Sequence, residues 1–415
     1  MTSATTPDLA AERRVRSAVL ATYAVFIASG FAFASWASRI PQVRDRLELA
    51  PSQLGFVLLS VAAGSVIAMP SAGMIIGRFG SRATVRGTAL LAMSGLAVVA
   101  IGYQWGLVPV VIGLFFVGLG IGAWDVAMNV QGALAERHLG KAIMPRFHAG
   151  FSVGTVAGAL IGAGMVALHV SVTVHLFVVA VVIGVGVPLA VRGFLPDEAP
   201  EPQPDQEPRS RFAALRAWRE PRTLLIGLFV LAFAFAEGTG NDWISLAFID
   251  GYGTSAAVGT LGFAAFLTAM TLSRWFGPAL LDRYGRVPVI RTLTVICLAG
   301  VVLFVFGPNL AVAFVGVLLW GAGLALGFPV GMSAGADDPA FAAPRVSVIA
   351  SIGYWAFLCG PPMIGFLGDH YTVLRAVLAV AVLLGVAALI TGSIRPLPGV
   401  SAPAGEADGR PAEQA

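Results

Sequence analysis

Long apolar runs recur along nearly the whole chain, and they restrict its fold more than any other feature. Apolar residues make up 57 % of the 415 residues, whereas charged residues make up 12 %, about half the share that is typical of soluble proteins. A single protein core of this size cannot bury so many apolar side chains, so lipid must surround the rest. The sequence therefore predicts an all-α membrane protein and excludes a soluble one.

Hydropathy predicts twelve transmembrane helices, six on each side of a segment rich in proline and acidic residues that is typical of a linker. The predicted spans are 17–38, 53–72, 86–105, 108–132, 147–168, 172–191, 222–246, 257–276, 288–307, 310–332, 346–367 and 373–394. The predicted organisation is an N-tail (1–16), a six-helix domain (17–192), a linker (193–220), a second six-helix domain (221–394) and a C-tail (395–415).

Basic residues are distributed unevenly between the two sides of this topology. All of the 26 basic residues except Arg39, Arg44, Arg46 and Arg375 lie on the side that carries both termini. We call this side the arginine-rich face and the other the arginine-poor face. The positive-inside rule predicts that both termini are cytoplasmic. No basic stretch interleaved with aromatic residues indicates binding to nucleic acid.

The two halves of the sequence repeat each other at a shift of about 200 residues. FAFA at 31–34 returns at 233–236, and Gly118 with Gly120 corresponds to Gly321 with Gly323. The predicted turn after the second helix, GRFGSR, corresponds to DRYGRV after the eighth. Such internal symmetry is typical of secondary transporters and predicts two pseudo-symmetric six-helix domains.

The two turns resemble the cytoplasmic turn of the major facilitator superfamily, G-x-x-x-D-R-x-G-R. The matching residues are Gly73, Gly77, Arg78, Gly80 and Arg82 in the first copy, and Asp282, Arg283, Gly285 and Arg286 in the second. The first copy has Gly77 where the family usually has aspartate. The resemblance implies the major facilitator fold and a role for these residues in conformational change.

Three further segments resemble the fucose-permease-like branch and its bacterial inner-membrane relatives. They are Asp125-Val-Ala-Met-Asn129, Trp36-Ala-Ser-Arg39 and GPPMIG from Gly360. The resemblance implies that Asp125 and Asn129 take part in proton coupling and that the protein lies in the inner membrane. It also implies that Gly150, Gly154, Gly158 and Gly162 of helix 5 face the opposite domain.

Ionisable residues inside predicted spans indicate function, because a charge in hydrocarbon costs several kcal/mol. Asp125, Glu237 and His148 are the candidates for proton coupling, since a buried carboxyl or an imidazole can exchange protons. Glu237 and Asn241 repeat the acid-x-x-x-Asn spacing of helix 4. Helix-packing hydrogen bonds and structural ion pairs are the alternative interpretations.

Substrate contacts are predicted for polar and aromatic residues of the same spans. These are Arg39, Trp36, Trp124, Asn129 and Asn241. The repeat also places Arg39 opposite Asp242, which predicts an ion pair that closes the outer gate. Alternatively, Arg39 binds an anionic group of the substrate.

No nucleotide, metal or catalytic motif is present in the sequence, so we expect neither an enzyme nor a cofactor or metal. The predicted function is secondary active transport of a small polar solute, sugar-like or a small organic acid, by alternating access with proton coupling. The predicted partners are that solute, protons and the lipid bilayer, with the chain as a monomer. The alternative is a proton-driven efflux antiporter for drugs or metabolites, which would combine the same carboxylates with an apolar cavity.

Overall fold

The computed structural model describes residues 9–141, 143–197 and 216–397, and within these ranges the chain is helical without strands. The first half, residues 9–197, contains α1 (Leu9–Ala37), α2 (Ile40–Arg46), α3 (Pro51–Gly102), α4 (Leu107–Leu139), α5 (Met144–Ala167) and α6 (Val172–Ala190). The second half, residues 216–397, contains α7 (Pro221–Tyr252), α8 (Ala256–Tyr284), α9 (Arg286–Phe306), α10 (Leu310–Leu324), α11 (Gly327–Gly335), α12 (Ala342–His370), α13 (Val373–Ala376) and α14 (Leu378–Ile390). Most of the predicted tails and linker lies outside the described residues.

Eleven described segments, rather than the predicted twelve, are long and apolar enough to cross a membrane. The predicted span 53–72 and all but the last three residues of the span 86–105 fall within α3, which has 52 residues. A straight helix of that length extends about 78 Å, more than twice the roughly 30 Å of a bilayer's hydrocarbon core. Gly80 interrupts α3 with φ 81° and ψ 159°, a conformation that glycine adopts readily because it has no Cβ.

The chain reverses direction at Gly80, as the contacts with α4 show. Before Gly80, the residues of α3 meet α4 in ascending order, since Val61 packs against Gly118 and Ser65 against Gly122. After Gly80 the order descends, because Ala92 packs against Gly120 and Gly102 against Pro109. The two parts of α3 are therefore antiparallel to each other.

Equivalent glycines pack in equivalent ways in the two halves. A Cβ at Gly118 would overlap the Val61 carbonyl of α3, and one at Gly321 would overlap the Phe266 carbonyl of α8. Gly120 likewise contacts Ala92 after the Gly80 reversal, and Gly323 contacts Cys297 of α9. The sequence repeat thus corresponds to a repeat of helix packing.

The glycines of α5 lie against α1 of the same half. A Cβ at Gly154 would overlap the Ile27 carbonyl, one at Gly158 would contact Phe31, and one at Gly162 would overlap Ser38. The interpretation of this stripe as a surface that faces the opposite domain was therefore wrong. Glycine here allows the close approach of two helices within one half.

The predicted span 310–332 is broken between α10 and α11, at Ala325 and Leu326. Pro329 lies in the first turn of α11. Backbone N–H groups in a first turn have no partner within the helix, so proline costs no hydrogen bond there. Arg274 of α8 donates from Nε to the Ala325 carbonyl at 3.3 Å, and Ser273 donates to the Ala322 carbonyl at 2.7 Å. Side chains of α8 therefore satisfy carbonyls that the break leaves free.

Candidate functional site

A cavity of about 240 Å³ lies between the two halves, lined by α1, α3, α4, α7 and α12. Most of its lining side chains are apolar or aromatic. The polar ones are Ser65, Thr239, Asn241, Asp242 and Tyr354. Asp242 is the one charged side chain among the lining residues. The cavity therefore presents an apolar wall with a small polar region, which comes mainly from α7.

Close packing of α3 against α12 closes the arginine-poor face between the halves. A Cβ at Gly55 would meet the Pro361 carbonyl, and one at Gly365 would meet the Pro51 carbonyl. The backbone N–H of Ser52 also donates to Asp369 of α12 at 3.2 Å. These contacts lie at the arginine-poor ends of both helices.

An ion pair between Arg44 of α2 and Asp250 of α7 joins the halves at the same face. Both terminal nitrogens of Arg44 donate to the Asp250 carboxylate, and the bond from Nη2 to Oδ1 is 3.1 Å. This bidentate geometry is the strong form of an arginine–carboxylate contact. Arg44 and Asp250 therefore connect the halves at the face where the sequence predicted a gate.

Arg44→Ala is expected to open the arginine-poor face more often. The pair is partly exposed and so contributes about 1 kcal/mol, which corresponds to roughly a fivefold shift in population. A cysteine introduced by Ala62→Cys in the cavity reports this opening in a Cys359→Ser background, where the remaining native cysteine, Cys297, is fully buried. Its labelling rate by an impermeant maleimide from the arginine-poor face should rise about fivefold.

Arg46→Ala is the matched control, because Arg46 lies on the same short helix but is exposed and outside the contact with Asp250. The exchange Arg44→Asp with Asp250→Arg should return the labelling rate toward that of the parent. An unchanged rate in Arg44→Ala would show that helix packing alone closes this face.

Arg39 contacts His175 rather than Asp242. Its Nε donates to His175 Nδ1 at 2.8 Å, and Arg39 and His175 are only 1 % and 3 % exposed. Arg39 Nη2 and His175 Nε2 are buried without a hydrogen-bond partner. Although the arginine-poor face is closed, the predicted Arg39–Asp242 ion pair is not formed, and Arg39 does not line the cavity. A gating or substrate role for Arg39 stays a prediction.

Asp125 and Asn129 lie one turn apart on α4, as the sequence predicted. Asn129 Nδ2 donates to the Asp125 backbone carbonyl at 2.8 Å and lies 3.5 Å from Asp125 Oδ1. Asp125 is also within electrostatic range of Tyr354 of α12. Tyr354 lines the cavity, so Asp125 lies near the cavity wall, although Asp125 is not itself among the lining residues.

Glu237 of α7 forms an ion pair with Arg274 of α8. Arg274 Nη2 lies 3.0 Å from both Glu237 carboxylate oxygens, and the Arg274 and Glu237 side chains are 31 % and 23 % exposed. Hydropathy placed Arg274 among the charges of the arginine-rich face, so this pair was not predicted. An arginine ten residues before the end of an apolar helix was the signal that could have found it.

His148 lies in the second turn of α5, with its ring edge-on to Phe26 at 5.2 Å between centroids. Arg274 of the opposite half is within electrostatic range of His148. The candidates Asp125, Glu237 and His148 thus come from three helices, and Arg274 pairs with Glu237 and is near His148.

The two tryptophan candidates separate in the structure. Trp36 lines the cavity, together with Asn241. Trp124 is fully buried, its Nε1 has no hydrogen-bond partner, and it is not among the lining residues. Asn129 is not among them either. The predicted group of substrate contacts is therefore not brought together in this conformation.

The two turns that resemble the cytoplasmic turn of the major facilitator superfamily lie at the arginine-rich face and share a backbone conformation. Gly285 has φ 80° and ψ 164°, close to the values of Gly80. Arg82 donates to the Phe194 carbonyl at 2.5 Å, whereas Arg286 forms an ion pair with Asp337 at 2.6 Å.

The other turn residues make fewer contacts. Arg78 and Arg283 stack on the adjacent Phe79 and Tyr284, a Cβ at Gly73 or Gly77 would meet open space, and Asp282 lies in the last turn of α8.

Asp197 supplies a carboxylate near the turn in which Gly77 replaces the family's aspartate. Its side chain accepts hydrogen bonds from the Ser81 backbone N–H at 2.8 Å and from the Ser81 hydroxyl. Gln131 donates to the same hydroxyl at 2.7 Å and to the Leu195 carbonyl at 2.9 Å. No signal in the sequence indicated this contact, because Asp197 is 116 residues from Ser81.

The second half has its own carboxylate contacts at this face. Asp337 accepts from both Arg222 and Arg286, and Glu220 accepts from Arg345 at 2.7 Å. The Arg345 guanidinium holds the pKa of the Glu220 carboxyl below its ordinary value. These contacts join helices of the second half to one another.

Comparison with known proteins gives one family and several similar chains. The family model of the Major Facilitator Superfamily matches residues 19–343. An uncharacterised transporter of Sinorhizobium fredii, y4wD, is 29 % identical over 353 residues, which cover 84 % of this chain and 90 % of that protein.

Two solved structures share the fold at low sequence identity. A crystal structure of a variant of the nucleoside transporter NupG has a TM-score of 0.74 at 13 % identity and covers 90 % of this chain and 99 % of that chain. The fucose:proton symporter FucP of E. coli has a TM-score of 0.58 at 14 % identity and covers 90 % of this chain and 98 % of that chain.

Proposed function

Because the chain belongs to the Major Facilitator Superfamily and is a multi-pass membrane transporter, we propose that it moves a small solute by proton-coupled alternating access. The observation that carries the proposal is the cavity between the halves, with its closure at the arginine-poor face. A site that is closed on one side and bounded by two halves is what alternating access requires.

We propose that the chain crosses the membrane twelve times as two six-helix domains, 17–192 and 221–394. The reversal of α3 at Gly80 supports this arrangement, because it turns eleven apolar segments into twelve crossings. The equivalent packing of Gly118 and Gly321 supports pseudo-symmetry between the domains. The arginine-rich face would be cytoplasmic in the inner membrane, with the chain acting as a monomer, so the face that is closed in this conformation would be the periplasmic one.

We assign proton coupling first to Asp125. A carboxyl near a cavity between two domains can gain and lose a proton as its access to water changes. Asn129 lies one turn further along α4, and its Nδ2 is 3.5 Å from Asp125 Oδ1. Glu237 is held by Arg274, and His148 of the first half lies within electrostatic range of the same guanidinium. Glu237 and His148 would therefore have a secondary role, in which they position charge between the two halves.

The lining of the cavity favours a solute with an apolar body. Apart from the Trp36 indole, only five of the 23 lining residues have polar side chains. A sugar has a hydroxyl group on nearly every carbon, so it would need many more polar partners. This observation favours the second candidate, an efflux antiporter for drugs or metabolites, over the uptake of a sugar-like solute or a small organic acid.

Proton flux in proteoliposomes tests the function. Vesicles that contain the purified chain and a luminal pH dye are exposed to sugars, small carboxylates and amphipathic amines in turn. For antiport, solute entry is expected to make the lumen more alkaline, whereas symport makes it more acidic. Vesicles without the protein are the control for passive permeation, and equal fluxes in both preparations for every solute would contradict the proposal.

A further inference from the structure

The cavity contains one carboxyl group, that of Asp242, which no cation in the described part of the protein pairs with. Asp242 is its one charged lining residue, and no arginine, lysine or histidine lines it. Asp242 has no ion pair or hydrogen bond with any other described side chain, and Arg39, its predicted partner, contacts His175 instead. A carboxylate inside a membrane protein costs several kcal/mol unless a cation, water or a proton compensates it.

The neighbouring polar atoms on α7 can also accept hydrogen bonds. Asn241 Oδ1 and Thr239 Oγ1 are buried without a hydrogen-bond partner, and both residues line the cavity. An amide oxygen is only an acceptor, and a threonine hydroxyl has two acceptor lone pairs. The unpartnered polar atoms around Asp242 on α7 are therefore hydrogen-bond acceptors, which favours a positive rather than a negative group nearby.

Aromatic rings make up much of the remaining wall. Phe33 and Trp36 of α1 line the cavity from the first half, and Tyr354 and Phe357 of α12 line it from the second. The face of an aromatic ring attracts a cation, and the ring also packs against an apolar body. Ring faces, a carboxylate and an amide oxygen all favour positive charge.

We propose that the cavity is a binding site for an organic cation, namely a primary ammonium group on a small apolar or aromatic body. The ammonium group pairs with the Asp242 carboxylate, and the apolar body packs against the aromatic side chains. An anion would meet Asp242 without any compensating cation in the lining. This inference rests on the proposed transport function, because it names the solute class that the same cavity carries.

Three probes of similar shape and different charge test the inference. Isothermal titration calorimetry of the full chain in lipid nanodiscs compares 2-phenylethylamine, 2-phenylethanol and 3-phenylpropionate at neutral pH, with titrations into empty nanodiscs subtracted. The amine is expected to bind about tenfold more tightly than the alcohol, because charge-assisted hydrogen bonds are roughly twice as strong as neutral ones. The carboxylate is expected to bind most weakly.

Asp242→Asn should bring the affinity for the amine to within about twofold of that for the alcohol, because it removes the charge and keeps the shape. Glu48→Gln is the matched control. It removes one negative charge from an exposed position on the arginine-poor face and does not line the cavity, so the tenfold preference should remain.

The inference is overturned if wild-type protein binds the alcohol or the carboxylate as tightly as the amine, if the amine shows no saturable binding, or if Asp242→Asn keeps the preference. Failure of the transport proposal has a different signature. In that case the amine binds with the expected preference, but proteoliposomes show no proton flux with any solute. Flux with a sugar or a carboxylate but not with amines would overturn the cation site and leave the transport function in place.

Discussion

Asp125→Asn is expected to abolish solute movement driven by a pH gradient, reducing it to the level of vesicles without protein. Asparagine matches the protonated carboxyl in shape and cannot release a proton, so a transporter that couples through Asp125 loses its driving reaction. Exchange of labelled for unlabelled solute across the membrane needs no net proton transfer. Exchange should therefore continue in this variant. The measurement compares the rate of exchange with the rate of gradient-driven solute movement in the same vesicle preparation.

Two control variants make this result specific. Glu48→Gln likewise converts an acid to its amide, but at an exposed position on the arginine-poor face. It should leave gradient-driven movement unchanged. Asn129→Ala should cause a smaller loss than Asp125→Asn, because the main hydrogen bond of Asn129 is to the Asp125 backbone carbonyl at 2.8 Å. Gradient-driven movement at the wild-type level in Asp125→Asn would exclude Asp125 as the coupling residue and leave Glu237 and His148 to be tested.

Glu237→Leu is expected to lower the stability of the folded protein by about 2–3 kcal/mol, because it leaves the Arg274 guanidinium without its carboxylate. This value lies below the roughly 3–5 kcal/mol of a fully buried pair because both side chains are partly exposed. Thermal unfolding of the purified protein measures the change. A midpoint equal to that of the wild type would show that Arg274 finds another partner.

The double variant Glu237→Leu with Arg274→Leu separates stability from function. Removing both charges should return the unfolding midpoint most of the way to the wild-type value, because no uncompensated charge remains and only the hydrogen bond from Arg274 to the Ala325 carbonyl is lost. If the pair helps to position charge across the halves, gradient-driven transport should remain reduced in this stable protein. Full recovery of transport would show that the pair has only a structural role.

The helical elements and their repeat follow from the amino-acid sequence alone. Lipid requires each crossing to be a helix of about 20 apolar residues, so hydropathy located the apolar segments, although several helices extend up to eight residues beyond the predicted bounds. The close approach of helices requires small residues, so the glycines at 118, 120, 321 and 323 marked equivalent helix contacts through their spacing in the sequence. These signals are local, because the bilayer and the helix backbone impose them on each segment separately.

The partners of the charged side chains depend instead on tertiary packing. Arg39 meets His175, 136 residues away, Arg44 meets Asp250, 206 residues away, and Asp197 meets Ser81. The repeat placed Arg39 and Asp242 at equivalent ends of two helices, but a contact also depends on the rotation of each helix about its axis. Such rotations also turn the glycines of α5 toward α1 and leave Asp242 in the cavity. Hydropathy cannot specify these rotations, because they follow from the packing of side chains between helices that are distant in sequence.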